Sequence, residues 1–563
     1  MRTNDIIKVQ GRVIGVLLFY LFAFLPLYAQ PAWVKKATKS VFTLKTFSAD
    51  GSLIGSSNGF FTGPNGEAIS NFTPFKGASR AIIIDAQGKE LKVTGILGVN
   101  DMYDVVKFRV EGKSQPLTIA SATAPIGSNA WLLPYHELKN VYNGPVRKAE
   151  TFQNDYAYYT VSMTMPENTV SCPLLNDAGE VIGLMQQPAS LKDTLSYAVS
   201  ARFADSLKIS ALSLNDPTLK LTKVKTELPQ TVKEATLMLF LAASQMDSTS
   251  YAALIEDFIT QFPDAPDGYI YRAQQESGAG HFANAEKDME RAMKFSQQKD
   301  DALYNYALLM YNKEIYQSEL PYENWSLDKA LSMIREANSI RPQSAYRQQE
   351  AHILYAQKNY EEAYQIYTNL CATDMRNAEN FFAAARCKEM QKDTTAMLAL
   401  MDSTLNTFSR PYLKEAAPYL WTRAEARREA GKYRDAVNDM NDYEELMKAS
   451  VNDNFYYVRH QTEIQGRLYQ QALNDIRRAI QMNPQETLYY AEKASLEVRV
   501  GLFDDALETS KELLSINAED SDGYLFLGLA QCLKGNKNEG ITNLKKALEM
   551  GNTQAEALIE RYK

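Results

Sequence analysis

A small residue returns at one fixed place through the second half of this chain, and its spacing limits what that half can fold into. Ala472, Ala506 and Gly540 stand 34 residues apart, each a few residues into a helix-patterned run: "RLYQQALNDIRRAIQMNP", "GLFDDALETSKELLSI" and "GNKNEGITNLKKALEM". Ala285, Ala330, Ala363 and Ala436 hold the same place in earlier runs, with Ala396 between the last two. Twelve positions before most of these lies a second small residue: Ala273, Ala351, Ala384, Ala424, Ala494 and Gly528, with His460 breaking the pattern once. Two helices that touch at two small side chains lie close together, and a large residue at either point would wedge them apart. One such pair cannot bury its apolar face alone, so the period dictates a stack of helix pairs.

The pattern resembles the tetratricopeptide repeat. Ala292, Ala337, Ala479 and Ala547 follow seven residues after the second small position, where the next repeat docks, and Pro342 and Pro484 stand at helix ends. About eight repeats and a degenerate one before Pro263 then make residues 232–563 an all-α solenoid. The resemblance implies a groove lined by the first helix of each pair: Ile270 and Gln274, Trp421 and Glu425, Tyr457 and Gln461, Ala491 and Ser495, Leu525 and Leu529. The Lys and Asn set with which some family members clamp a terminal carboxylate is absent. An apolar, aromatic groove suits proteins or extended peptide segments better than an acidic tail. The alternative is that neighbouring helices cover these residues.

Residues 41–201 have a different texture. Short runs such as "SVFTLKTF", "DVVKFRV", "NAWLLPY", "YAYYTVSM" and "LSYAVS" alternate apolar residues and are separated by Gly, Pro, Asn and Asp, which predicts an all-β barrel or sandwich. Between the halves, residues 209–231 mix Lys, Ser, Thr and Pro without sustained periodicity and read as a linker that lies free or against one domain.

The stretch "NTVSCPLLNDAGEVIGL" resembles the nucleophile loop of trypsin-like peptidases of the HtrA type. Pro173, Leu174, Leu175, Asn176, Gly179, Val181, Ile182 and Gly183 fit that pattern. "SSNGFFTGPNGEAISNFTPFKGA" is similar to the segment carrying the family histidine, and "GVNDMYDVVKFRV" to the one carrying the aspartate. The resemblance implies a double barrel over residues 30–208. It also places the triad positions at Thr73, Asp104 and Val170, so two of three members are missing. Ser171 and Cys172 replace the glycines of the oxyanion turn, and His136 is the one histidine of this half. Ser171 neighbours the nucleophile position and should point away from the cleft; Cys172 reads as a small core residue. The expectation is a pseudopeptidase with no catalytic residue. The alternative is an envelope serine-type peptidase or quality-control factor with an unconventional active site.

The chain has 563 residues and a formal charge of −8. A diffuse acidic balance without a basic block argues against nucleic acid as partner. Residues 1–29 read as a signal peptide: Arg2, Lys8 and Arg12 precede an apolar run from Val13 to Leu27 that ends at "LYAQ". Leu27 departs from the small-x-small rule, so an uncleaved anchor is the alternative. The four cysteines, Cys172, Cys371, Cys387 and Cys532, are too few for a disulfide framework and read as buried thiols, with a Cys371–Cys387 pair left open. Histidines 136, 281, 352 and 460 are scattered, so neither a metal nor another cofactor is expected. The "LYAQ" junction and high tyrosine content resemble envelope proteins of Bacteroidota. Together these readings predict an exported, periplasmic or envelope-associated scaffold that binds proteins, with association to an outer-membrane or envelope complex left open.

Overall fold

The structure, a computed structural model, describes residues 31–135, 141–153, 155–188, 190 and 193–563. The expected signal peptide, residues 1–29, and His136 lie outside the described residues.

Among the described residues, twelve strands form two closed antiparallel barrels. The first contains β1 (Val41–Phe47), β2 (Leu53–Phe61), β3 (Glu67–Ser70), β4 (Arg80–Ile84), β5 (Glu90–Asn100) and β6 (Val105–Val110). The second contains β7 (Asn129–Leu132), β8 (Tyr142–Phe152), β9 (Tyr156–Val161), β10 (Pro173–Leu175), β11 (Val181–Met185) and β12 (Ser196–Ser200). Around the first the order is β1-β2-β3-β6-β5-β4, and around the second β7-β8-β9-β12-β11-β10, the same path repeated. This is the trypsin-like double barrel. Alternation sends Phe42, Leu44, Ile83, Val106 and Phe108 into the first interior, and Leu132, Val146, Tyr159, Leu174 and Ala198 into the second. A third cluster joins the barrels, with Val41, Phe60 and Ile69 from one meeting Leu175, Val181 and Val199 from the other. Each fully buried Phe or Leu here contributes roughly 1.5–3 kcal/mol.

Residues 209–231 are built into this unit. The chain adds an edge to the first barrel: the Ile96 amide donates to Lys225 O (2.8 Å) and the Glu227 amide to Ile96 O (3.0 Å). Lower down, the Gly77 amide donates to Leu221 O and the Lys223 amide to Ala78 O, both at 2.7 Å. Ala211 and Leu228 then join Ala235, Leu239, Ile255 and Phe258 of the first two long helices, Val232–Ala242 and Ser248–Gln261, in one core. The chain divides into two compact units, one ending at Gln275 and one starting at Glu276.

The second unit is helical throughout, and consecutive helices pack in pairs. Side-chain caps start several of them: Asn377 accepts from the Asn380 amide, Asn452 from Phe455 and Asp520 from Gly523. The recurring small residues Ala363, Ala384, Ala424, Ala436, Ala472, Ala494 and Ala506 are fully buried, whereas Ala396 is only partly covered. The approach is tight at the glycine pair. A Cβ on Gly528 would lie 2.7 Å from Gly540 O, and one on Gly540 2.4 Å from Cys532 Sγ, so neither position has room for alanine. His460, at the place of a small residue, is fully buried and donates from Nδ1 to the Ala472 carbonyl (2.9 Å). Ala330 also has a buried counterpart, Ala307, but residues 317–326 lengthen the connection and hide the spacing, with Trp325 buried among Phe282, Tyr306 and Tyr322. All four cysteines are buried and free, Cys371 and Cys387 included. No helix among the described residues is long and apolar enough to cross a membrane.

Candidate functional site

A cleft of about 760 Å³ is lined by Thr43, Ser57, Asn58, Asn71 and Thr73 of the first barrel and by Met165, Asn168, Val170 and Gln187 of the second. Its lining is neutral apart from Glu167. Thr73 and Val170, two of the three expected triad positions, line the cleft, and Asp104 is hydrogen-bonded to Thr73. Thr73 opens the short turn after β3, Asp104 ends the β5–β6 loop with φ +48°, and Val170 precedes β10.

The Asp104 carboxylate is occupied by the first barrel itself. Its Oδ1 accepts from the Thr73 amide (2.6 Å) and from Thr73 Oγ1 (2.9 Å), and its Oδ2 accepts from Asn71 Nδ2 (3.3 Å). The Thr73 hydroxyl is exposed and donates to the carboxylate, so the pair is a closed hydrogen-bonded unit without an imidazole. A serine hydroxyl needs a base that accepts its proton while the base is oriented by the acid. Threonine supplies no such nitrogen, and half-buried Val170 supplies no nucleophile.

Ser171 is turned away from the cleft and fully buried. Its Oγ donates to Asn71 Oδ1 and accepts from the Asn71 amide, both at 3.0 Å, while its own amide donates to Met185 O (2.8 Å). It holds φ +62°, a left-handed conformation that glycine adopts freely and serine does not. Cys172 is equally buried, and burial pushes its thiol up to about 12, which leaves no thiolate near neutral pH. Asn58 fastens the rest of the loop: Nδ2 donates to the carbonyls of Asn168 (2.7 Å) and Val170 (3.2 Å). Sequence reading missed Asn58 and Asn71 as the joints of this network. The signal for Asn71 was its place in the histidine motif; Asn58 had none, because its partners lie 110 residues away.

The expected groove residues differ in their environments. Trp421 is half-buried in the seam between pairs, against Tyr443 and Phe455 (ring centroids 5.2 and 5.9 Å). Tyr457 packs on Tyr489 (5.2 Å), and its hydroxyl accepts from Gln461 Nε2 (2.8 Å). Leu525 is only 2% exposed, covered by Leu544, Ala547, Ala555 and Ile559, and so presents no surface. Leu529 is partly covered, while Ile270 and Gln274 lie on the helix Pro266–Gly278, Gln274 exposed.

Two of the hollows along the repeats are mainly polar. Glu425 lines a hollow of about 270 Å³ with Arg386, Glu389, Met397, Met401 and Glu429. Gln461 lines a wider one of about 660 Å³ with Arg428, Glu429, Tyr433, Gln465 and Glu492. The rings of Trp421 and Tyr457 are in contact with Phe455 and Tyr489 of the following helix pair. Among the described residues no group of three His, Cys, Asp or Glu side chains sits where it could hold a metal ion.

No protein-family profile matches the chain. The small glutamine-rich tetratricopeptide repeat-containing protein 2 of Saccharomyces cerevisiae (strain ATCC 204508 / S288c) is 30% identical over 95 residues, 17% of this chain. The match spans 28% of that relative's length. Among solved structures, the active form of the Rv3671c protease from M. tuberculosis is 17% identical with a TM-score of 0.29, covering 32% of this chain and 85% of that one. An inactive serine-to-alanine mutant of the same protein gives 18% identity, a TM-score of 0.27, and coverage of 32% and 91%. The serine endoprotease from Yersinia pestis gives 16%, 0.27, and 31% and 62%. The double barrel is established by the repeated strand order, and the chain is similar, over 95 residues, to a tetratricopeptide repeat-containing protein.

Proposed function

We propose that the protein is a non-catalytic scaffold or adaptor of the cell envelope, binding proteins or extended segments through its repeats, with the double barrel as a second docking module. The observation that carries the reading is the Asp104–Thr73 pair: the carboxylate is satisfied by a hydroxyl and two amide-type donors where a peptidase would hold an imidazole. Val170 opposite has no group to activate. The repeat surface supports the binding half of the proposal, since Glu425, Glu429 and Gln461 face open hollows that cross from one helix pair to the next. Export and an envelope setting rest on the charged and apolar pattern of residues 1–29.

The test has two arms. A fluorophosphonate probe should leave the full-length protein unlabelled, and labelling abolished by Ser171→Ala would establish the peptidase alternative instead. Partners captured with the full chain should be lost when Glu425 and Gln461 are replaced by alanine; retention of every partner would move the docking function to the barrels.

A further inference from the structure

The outer face of the first barrel carries two cations on one strand. On β6, Phe108 points into the interior, while Lys107 and Arg109 on either side of it face outward. Arg109 is fully engaged: Nη1 meets Glu67 Oε1 and Nε meets Glu227 Oε1, both at 2.8 Å. Lys107 makes no hydrogen bond or ion pair among the described residues. It lines a cavity of about 590 Å³ between the barrel and the chain that crosses it at residues 207–210 and 228–231. That crossing is tight, since a Cβ on Gly98 would lie 2.6 Å from the Leu207 carbonyl carbon. The walls are Leu97, Leu207, Ile209, Leu228 and Pro229, with Lys208 and Glu234 among the polar residues that complete the lining.

The two carboxylates that line the cavity are engaged elsewhere. Glu67 and Glu227 both serve Arg109, and Glu234 Oε2 accepts from the Ala211 amide (3.1 Å). Burial disfavours the Lys107 ammonium and lowers its pKa, an effect that Asp205 and Glu67 only partly offset. An incoming anion would relieve that cost. The lining carries three cations, Lys107, Arg109 and Lys208, against two carboxylates, Glu67 and Glu234; the one positive charge left over matches a single negative charge better than a doubly charged phosphate, and apolar walls require a hydrocarbon body. The volume falls within the roughly 300–1,000 Å³ of small-molecule sites.

We propose that this cavity binds a small amphipathic carboxylate of the medium-chain fatty-acid type, its headgroup on Lys107 and its chain against Leu97, Leu207 and Leu228.

The experiment is calorimetric titration of the full-length protein with octanoate, beside 1-octanol as the uncharged counterpart. Octanoate should bind saturably at one site, and octanol at least about tenfold more weakly. Lys107→Met should weaken octanoate by about tenfold or more, while Lys107→Arg retains most of the affinity. Ile209→Trp should abolish binding by filling the space, and serves as the deciding variant if Lys107→Met is found unfolded by circular dichroism. Absence of saturable binding to the native chain, equal affinity for octanol, or unchanged octanoate binding by folded Lys107→Met or by Ile209→Trp would each overturn the proposal.

Discussion

Ser171 and Asn71 close a reciprocal clasp: the serine Oγ donates to the asparagine side-chain oxygen and accepts from the asparagine amide, each at 3.0 Å. The residue next to the vacant nucleophile position thereby ties the second barrel's loop to the end of β3 in the first. Ser171→Ala should destabilise the protein by about 1–3 kcal/mol, because the Asn71 amide is left buried without a partner. Ser171→Gly loses the same bonds but relieves the left-handed φ, worth about 1 kcal/mol, and should therefore cost less. Denaturant midpoints for the two variants check the order.

Restoring the nucleophile alone should not restore reactivity. Val170→Ser places a hydroxyl at the cleft, but Thr73 cannot take its proton and Asp104 is already bonded. The expected outcome with a fluorophosphonate probe is no labelling by mass spectrometry. Labelling that disappears on adding His136→Ala would show that a base reaches the cleft from that segment.

Residues 209–231 should resist cleavage. Lys223 and Lys225 are exposed, but the backbone at 221, 223, 225 and 227 is hydrogen-bonded to the first barrel. Trypsin under native conditions should cut here no faster than within the barrel strands, and a chain ending at residue 208 should lose stability relative to one ending at 262. Rapid release of a fragment ending between 220 and 225 would contradict this attachment.

Trp421→Ala should act on folding before binding. The indole fills a seam between Tyr443 and Phe455, so its loss should cost about 2–4 kcal/mol. Glu425→Gln and Gln461→Ala, which face open hollows, should stay within about 0.5 kcal/mol of the native chain. Thermal melts of the helical unit's transition distinguish the two classes.

A buried carboxyl should make stability fall toward alkaline pH. Glu463 is 3% exposed beside Asp475, which Arg459 already holds through two bonds of 2.6 and 3.0 Å. Burial, and then the neighbouring Asp475 charge, raise the Glu463 pKa above the ordinary 4.5. The folded state thus retains a proton that the unfolded state releases. The contribution is full below pH 4.5 and is lost as pH rises toward the folded value. Glu463→Gln should remove this slope and stabilise the protein by about 1–3 kcal/mol at pH 8. Burial lowers the pKa of His352 and His460, so their terms have the opposite sign: full above about pH 6.5 and lost on acidification. Denaturation midpoints from pH 5 to pH 9 should therefore show a maximum that shifts upward in Glu463→Gln.

Local chemistry determined much of this protein before any folding. The small residues at a 34-residue spacing specify close helix pairs, because steric exclusion at a contact is written in side-chain size. The alternating runs of the first half specify strands, and Thr73 and Val170 bring neither an imidazole nor a hydroxyl nucleophile respectively to the places they occupy. Tertiary structure decided what depends on distant partners. Trp421 and Leu525 have the pattern of groove residues, but Tyr443 and Phe455 enclose one and the last helices cover the other. Residues 209–231 lack periodicity because their hydrogen bonds go to β5 and its neighbours rather than to one another. Asn58, Asn71 and Ser171 became a network only when two barrels brought residues about 100 positions apart within 3 Å. The Lys107 cavity exists for the same reason, since its walls come from three strands, a crossing segment and the start of a helix that no sequence period connects.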